Sequence, residues 1–283
     1  MVRLSGGRFR MGSDRHYPEE APARVVSVNG FWIDRAPVTN REFAAFVGAT
    51  GYRTVAEVPP DPRAYPDADP AALAPGSIVF RPPDGPGAMR FWGDWWAFVP
   101  GAHWRFPDGS ARGCEPGHPV VHVAHADAAA YAAWAGKVLP TEAEWEFAAR
   151  GGGHGGEYAW GDELAPGGVR QANTWQGRFP FEHRVEDGFA GTSPVGAYRA
   201  NGYGLADMIG NVWEWTDDPW PGSGGHSCCA SAPAGGVGRR VIKGGSHLCA
   251  PNYCRRYRPA ARQPQAVDSG TSHVGFRCVR RDG

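Results

Sequence analysis

The chain has no surplus of charge: 29 Lys and Arg stand against 29 Asp and Glu in 283 residues, a formal net charge of zero. Without a basic excess, neither a nucleic-acid surface nor an anionic membrane surface is expected. There is no run of about 18 apolar residues, the length a membrane-spanning helix needs. The start, residues 1–7, lacks an apolar signal core. These absences predict a soluble, cytoplasmic protein. Nor is there an internal repeat or a change of composition that would mark a boundary, so a single domain over residues 1–283 is expected. The six cysteines, at 114, 228, 229, 249, 254 and 278, are not expected to form a disulfide framework in a reducing compartment. A four-cysteine zinc site is not expected either, because the other close pair, Cys228 and Cys229, is adjacent in sequence.

What the chain has in quantity is glycine (41), proline (26) and aromatic side chains, among them 12 Trp. That combination predicts a globular core held by turns and loops rather than long regular elements. Residues 7–12 read as a short strand, and residues 24–28 and 31–35 read as a hairpin around Asn29-Gly30. Thr39 to Glu42 is a capping box opening a helix that carries Phe43, Phe46 and Val47 on one face. Residues 58–117 read as a long ordered loop, since a linker would not need their tryptophans. Asp127 reads as the cap of a second helix ending at Gly136, and Thr141 to Glu144 as a second capping box. The fold class expected is α+β, with few helices and many loops.

The most informative stretch is 243–258, Lys-Gly-Gly-Ser-His-Leu-Cys-Ala-Pro-Asn-Tyr-Cys-Arg-Arg-Tyr-Arg. On a helix, Cys249 and Cys254 would point about 140° apart, and Pro251 argues against a helix there. A strand ending at Gly244-Gly245 and then curling would let both sulfurs face one point. Arg255, Arg256 and Arg258 bring positive charge, which favours thiolate over thiol. Such a pair can close a disulfide, bind a soft metal or act as a redox couple. Among soft ions, Cu(I) suits two thiolates with room for another sulfur.

Several segments in order resemble one family: Gly6-Gly7-x-Phe9-x-Met11-Gly12, Pro37-Val38-Thr39-Asn40, His118-Pro119-Val120-Val121 and Leu139-Pro140-Thr141-Glu142-Ala143-Glu144-Trp145-Glu146. They continue through Asn201-Gly202-Tyr203-Gly204-Leu205, Gly210-Asn211-Val212-Trp213-Glu214-Trp215, Lys243-Gly244-Gly245-Ser246 and Gly275-Phe276-Arg277-Cys278. Together they resemble the formylglycine-generating enzyme (sulfatase-modifying factor) family. The run from Cys249 to Cys254, followed by Tyr257-Arg258-Pro259-Ala260-Ala261-Arg262, is similar to its actinobacterial type. The resemblance implies one α+β domain of C-type-lectin-like fold with little regular structure. It implies a Cu(I)-dependent oxidase that uses O₂ to turn the cysteine of a Cys-x-Pro-x-Arg motif in sulfatases into Cα-formylglycine. The expected partner is an extended sulfatase peptide, met by a monomer.

The same resemblance implies roles for single residues. Cys249 and Cys254 would hold copper, and Ser246 and Trp213 would line the reacting pocket. Arg262 and Tyr253 would meet substrate. Structural Ca²⁺ would bind Asn173 and Asp187 with the carbonyls of Thr174 and Phe189. A second Ca²⁺ would bind Asp207 and Glu214 with the carbonyls of Gly210 and Val212; oxygen sets of this kind suit that ion. Each has a plainer reading: a core aromatic for Trp213, a turn hydroxyl for Ser246, a surface ion pair for Arg262, solvated acids for the second calcium set. His125 and Ala250 depart from the Trp and His of relatives, which predicts a different pocket wall. Two other readings of the fold remain. An iron-dependent sulfoxide synthase of the ergothioneine pathway usually adds a helical domain with iron ligands. A lectin-like binding module leaves the cysteine pair unexplained.

Overall fold

The computed structural model describes residues 1–67, 73–85, 92–153, 156–221 and 238–282. Cys228 and Cys229 lie outside the described residues. Eleven strands and three α-helices occur among them, in the order β1 (Val2–Leu4), β2 (Gly7–Met11), β3 (Arg24–Val28), β4 (Phe31–Ile33), α1 (Asn40–Thr50), β5 (Gly76–Phe80), β6 (Trp96–Pro100), α2 (His125–Trp134), α3 (Glu142–Ala149), β7 (Trp213–Pro219), β8 (Arg239–Lys243), β9 (Arg262–Ala266), β10 (Val274–Gly275) and β11 (Val279–Arg281). This is the α+β architecture with few, short helices that the composition predicts. No helix among the described residues is long and apolar enough to cross a membrane.

The helices start where local chemistry says they should. In α1 the Glu42 N–H donates to Thr39 Oγ1 and the Thr39 N–H to Glu42 Oε2, so two otherwise orphaned donors are satisfied. In α3, Thr141 and Glu144 repeat the device. For α2 the expectation is corrected: Asp127 is not the cap but stands one turn inside. Its Oδ2 accepts the Ala124 N–H at 2.8 Å, and its Oδ1 accepts the Tyr52 hydroxyl and the Val55 N–H.

The hairpin around Asn29-Gly30 is also corrected. β3 pairs antiparallel with β2, whereas β4 pairs with β1 and β11 in another sheet. The reason is burial. Phe31 and Ile33 are both fully buried, in one cluster with Leu4, Phe147 and Val279, while β3 is largely exposed. Two strands with such different demands cannot share one half-wet ribbon. The region 58–117 is not all loop, because β5 and β6 pair within it.

The sheet that matters for the site runs β10-β7-β8-β9, with β10 parallel to β7 and the other pairs antiparallel. Lys243, the last residue of β8, stands opposite Glu214 of β7 and Arg262 of β9. Against this sheet lies α3, whose eight residues are too few to form a stable helix alone. Its apolar Trp145, Phe147, Ala148 and Ala149 join a packed cluster, and its three carboxylates each tie it to other parts of the chain. Glu142 pairs with Arg262 and Lys243, and Glu144 with Arg281. Glu146 accepts the Gly12 N–H and pairs with Arg150 and Lys243. Burial opposes ionisation of Glu146, but Lys243 and Arg150 outweigh it and hold the carboxyl below its usual range. One layer away, Arg277 donates from Nε and Nη2 to both oxygens of Glu214, and the Trp145 indole N–H donates to the same carboxylate.

Both members of the Arg277–Glu214 pair are buried. Arg277→Met should therefore cost about 3–5 kcal/mol by stranding a buried carboxylate, whereas Arg281→Met, at a partly exposed pair, should cost under about 1 kcal/mol. Urea midpoints of the two variants test the ordering.

Candidate active site

The site begins where β8 runs out of side chains. Gly244 and Gly245 take φ of +95° and +72°, and neither position has room for a Cβ. At Gly244 a Cβ would lie 2.9 Å from the Trp145 ring; at Gly245, 2.9 Å from the Arg256 carbonyl oxygen and the Tyr257 nitrogen. The chain therefore doubles back so that residue 245 touches residues 256 and 257. Between them, the Ser246 carbonyl accepts the Cys249 N–H at 2.9 Å and Ser246 Oγ accepts the Leu248 N–H at 3.2 Å. The Ala250 carbonyl accepts the Tyr253 N–H. Pro251 and Asn252 sit at the exposed tip, and the flanking cysteines are buried.

This geometry places the Cys249 and Cys254 sulfurs 3.3 Å apart. That is well outside the ~2.05 Å of a disulfide and close enough for one ion to bridge. The Ser246 N–H points at Cys249 Sγ (3.4 Å), and Arg256 Nη1 lies 3.9 Å from Cys254 Sγ. Two further polar groups in the same packed cluster, the Trp213 indole N–H and the Tyr257 hydroxyl, are buried without a hydrogen-bond partner among the described residues. Orphaned groups of this kind carry a penalty that a polar guest removes. The donor set, two sulfurs without a carboxylate, fits a soft ion of low coordination number such as Cu(I) better than zinc.

On the side away from the arginines the surroundings are buried and aromatic. His247 donates from Nδ1, and from its backbone N–H, to the Asn211 carbonyl. Burial holds His247 down to about 4 and His273 to about 3, so both are neutral imidazoles. Trp213 is fully buried, its backbone N–H donating to the His273 carbonyl. Tyr253 stacks on Phe179 (4.6 Å between centroids) and meets the edge of Trp95. Ala250 packs in that aromatic group, while His125 stands edge-on to Trp215 at the start of α2. No group of three or more His, Cys, Asp or Glu among the described residues is placed to share a metal.

Arg262 is not a surface ion pair. It is held by Glu142, the Glu19 carbonyl and the Trp220 ring. The first oxygen set is drawn together by Gln176, whose Oε1 accepts the Asp187 N–H, so that segment 173–176 lies beside 186–189. Asn173 donates to the Gly191 carbonyl, and Asp187 accepts the Phe189 N–H and the Tyr198 hydroxyl; Thr174 is buried beside them. In the second set, Asp207 accepts the Gly196 N–H and is pushed up to about 6 by burial. Gly210 donates to the Gly244 carbonyl, and Val212 is core. Glu214, however, already has both oxygens bound by Arg277. Asp187 and Asp207 line one cleft of ≈ 1160 Å³. Residues that sequence reasoning passed over are Asn211, which reaches the left-handed region (φ +58°), and Tyr17, Glu19 and Glu20. Only the opposite charge of Glu19-Glu20 and the arginines after Cys254 could have hinted at the last group.

Comparison with known proteins gives the family. The family described as sulfatase-modifying factor enzyme 1-like domain matches residues 1–282. The chain is 56% identical to a formylglycine-generating enzyme of Mycobacterium tuberculosis, the match covering 99% of this chain and 97% of the relative. It is 47% identical to one from Thermomonospora curvata, covering 99% and 92%. Among solved structures, PvdO from Pseudomonas aeruginosa superposes with a TM-score of 0.64 at 24% identity over 99% of this chain and 94% of that one, which supports the fold. With a full-length family match and relatives this near, the chain belongs to the formylglycine-generating, sulfatase-modifying factor family.

Proposed function

We propose that this family member is an oxidoreductase that converts the cysteine of a Cys-x-Pro-x-Arg segment in a sulfatase to Cα-formylglycine, with O₂ as acceptor. Cys249 and Cys254 would hold Cu(I), with the substrate thiol brought in beside them. The observation that carries the reading is the 3.3 Å approach of two buried sulfurs on a loop whose tip is exposed. When bound, copper would supply the electron-transfer chemistry toward O₂ that no side chain can provide.

The chain's own residues prepare that site. The Ser246 N–H orients Cys249 Sγ. Ser246 Oγ already accepts from the Leu248 N–H, which leaves its own proton to donate to an oxygen species. Trp213, fully buried in the same cluster as the two cysteines, closes the inner wall and keeps water out. Tyr253 offers an aromatic surface at the mouth, beside Trp95 and Phe179, to an extended peptide. Arg262 belongs to the substrate side in this reading, with its guanidinium held by Glu142. We assign structural Ca²⁺ first to Asn173, Thr174, Asp187 and Phe189. A second ion at Asp207, Gly210, Val212 and Glu214 has to loosen the Arg277 pair. The reading takes residues 1–283 as one domain, a monomer acting in the cytoplasm on sulfatase chains that have not yet folded.

The direct test incubates protein, Cu(I) and O₂ with a Cys-x-Pro-x-Arg peptide and follows the thiol by mass spectrometry; an aldehyde product is expected. Cys249→Ser and Cys254→Ser should each lower conversion by about two orders of magnitude or more while the unfolding midpoint stays near that of the parent. Metal-loaded parent protein that leaves the peptide unchanged would overturn the assignment. For calcium, chelation should lower Tm by about 2–6 °C, and Asp187→Asn should lower it similarly and shrink the response to chelator to what the second site supplies.

A further inference from the structure

Three arginines follow Cys254, and the structure gives them different work. Arg255 is exposed and pairs with Glu157 at 2.9 Å. Arg258 is buried and committed to Glu20, which it grips through both terminal nitrogens. Arg256 reaches the sulfur: its Nη1 lies 3.9 Å from Cys254 Sγ. The rest of its guanidinium is held from the other end of the chain. Nη2 donates to Glu19 Oε1, and the plane lies 3.7 Å from the centre of the Tyr17 ring. The Tyr17 hydroxyl also accepts the Arg255 N–H at 3.0 Å, and the Glu19 carbonyl accepts from Arg262 at 3.3 Å. The single 3-10 turn Pro18–Glu20 is thus bound to residues 255–262 through side chains and main chain. The limb carrying Cys249 is anchored elsewhere, by the Trp175 N–H on the Cys249 carbonyl and by His247 on Asn211. The two sulfurs are therefore held by separate parts of the molecule.

We infer that Tyr17 and Glu19 clamp Arg256, and that Arg256 so held is a positioning residue that sets where the Cys254 sulfur stands relative to Cys249. The inference rests on the two-sulfur reading given above and deepens it. An ion that needs both sulfurs binds tightly only if neither limb has to be ordered on arrival. Glu20 keeps its own pair with Arg258, so loss of the clamp leaves the turn docked. Loss of Glu19 frees the guanidinium against Cys254, and loss of Tyr17 frees the Arg255 N–H as well.

The test uses the full-length reduced protein under anaerobic conditions, with Ag(I) as a redox-inert soft cation and Cu(I) alongside, each competed against a chromophoric chelator. Glu19→Gln and Tyr17→Leu should each weaken both ions by about tenfold, the scale seen when supporting partners of metal ligands are removed. The double variant should fall little further, because both side chains act on one guanidinium. Asp127→Asn, buried beside Tyr52 and Val55, is the control: it should lower the unfolding midpoint without moving either affinity. Parent and clamp variants that agree within twofold would overturn the clamp and leave the two-sulfur site standing. Affinity that merely tracks the unfolding midpoint, in the control as well, would also overturn it. Parent protein that holds neither ion would remove the two-sulfur reading, and the clamp with it.

Discussion

The contact on which the rest depends is the one between Gly245 and the main chain of Arg256 and Tyr257. A Cβ at residue 245 would sit 2.9 Å from both the carbonyl oxygen of one and the nitrogen of the other, so the approach exists only because glycine has none. That approach closes residues 246–256 into a compact loop. Once the loop is closed, the spacing of five between Cys249 and Cys254 brings the sulfurs together instead of dispersing them. Around it, Ser246 supplies one N–H and one hydroxyl oxygen to the turn. The cysteine pair is thus a property of a backbone path before it is a property of two side chains.

That path needs a rigid base, and α3 provides it by an unusual division of labour. Its apolar side packs, while Glu142, Glu144 and Glu146 each take a basic partner from a distant segment. Lys243, fully buried at the end of β8, is shared between Glu142 and Glu146 and also donates to the Ala260 carbonyl. Buried ion pairs of this kind contribute little net stability compared with apolar packing, and they fix geometry when every member is satisfied. Here the geometry they fix is the level at which the strand stops and the glycine turn begins.

What could be read from the sequence was what is decided locally. The capping boxes at Thr39 and Thr141 work within four residues, and both helices begin there. The glycine pair and Pro251 likewise exclude a helix around Cys249 without reference to anything else. Asn29-Gly30 misled because a turn signal carries no information about burial, and Phe31 and Ile33 needed a core that β3 could not share. Asp127 was legible as a capping residue but not as the third residue of its helix, since an acid can serve from either place. The pairing of β5 with β6, and of Tyr17 and Glu19 with Arg256, spans from about 20 to nearly 240 residues of chain. Such contacts are chosen by the whole fold, and no window of sequence contains them.

Asn211 links two regions that sequence treats as unrelated. Its N–H donates to the Asn173 carbonyl, while its own carbonyl receives both the backbone and the ring N–H of His247. Its side chain is fastened in the same way to Ser193 on both of its faces. The oxygen-rich edge at 173–189 and the thiol loop therefore share one residue as a common rivet. Slack introduced at that edge is transmitted toward the sulfurs across two hydrogen bonds, so the loop that carries the two thiols inherits its stiffness from a border outside it.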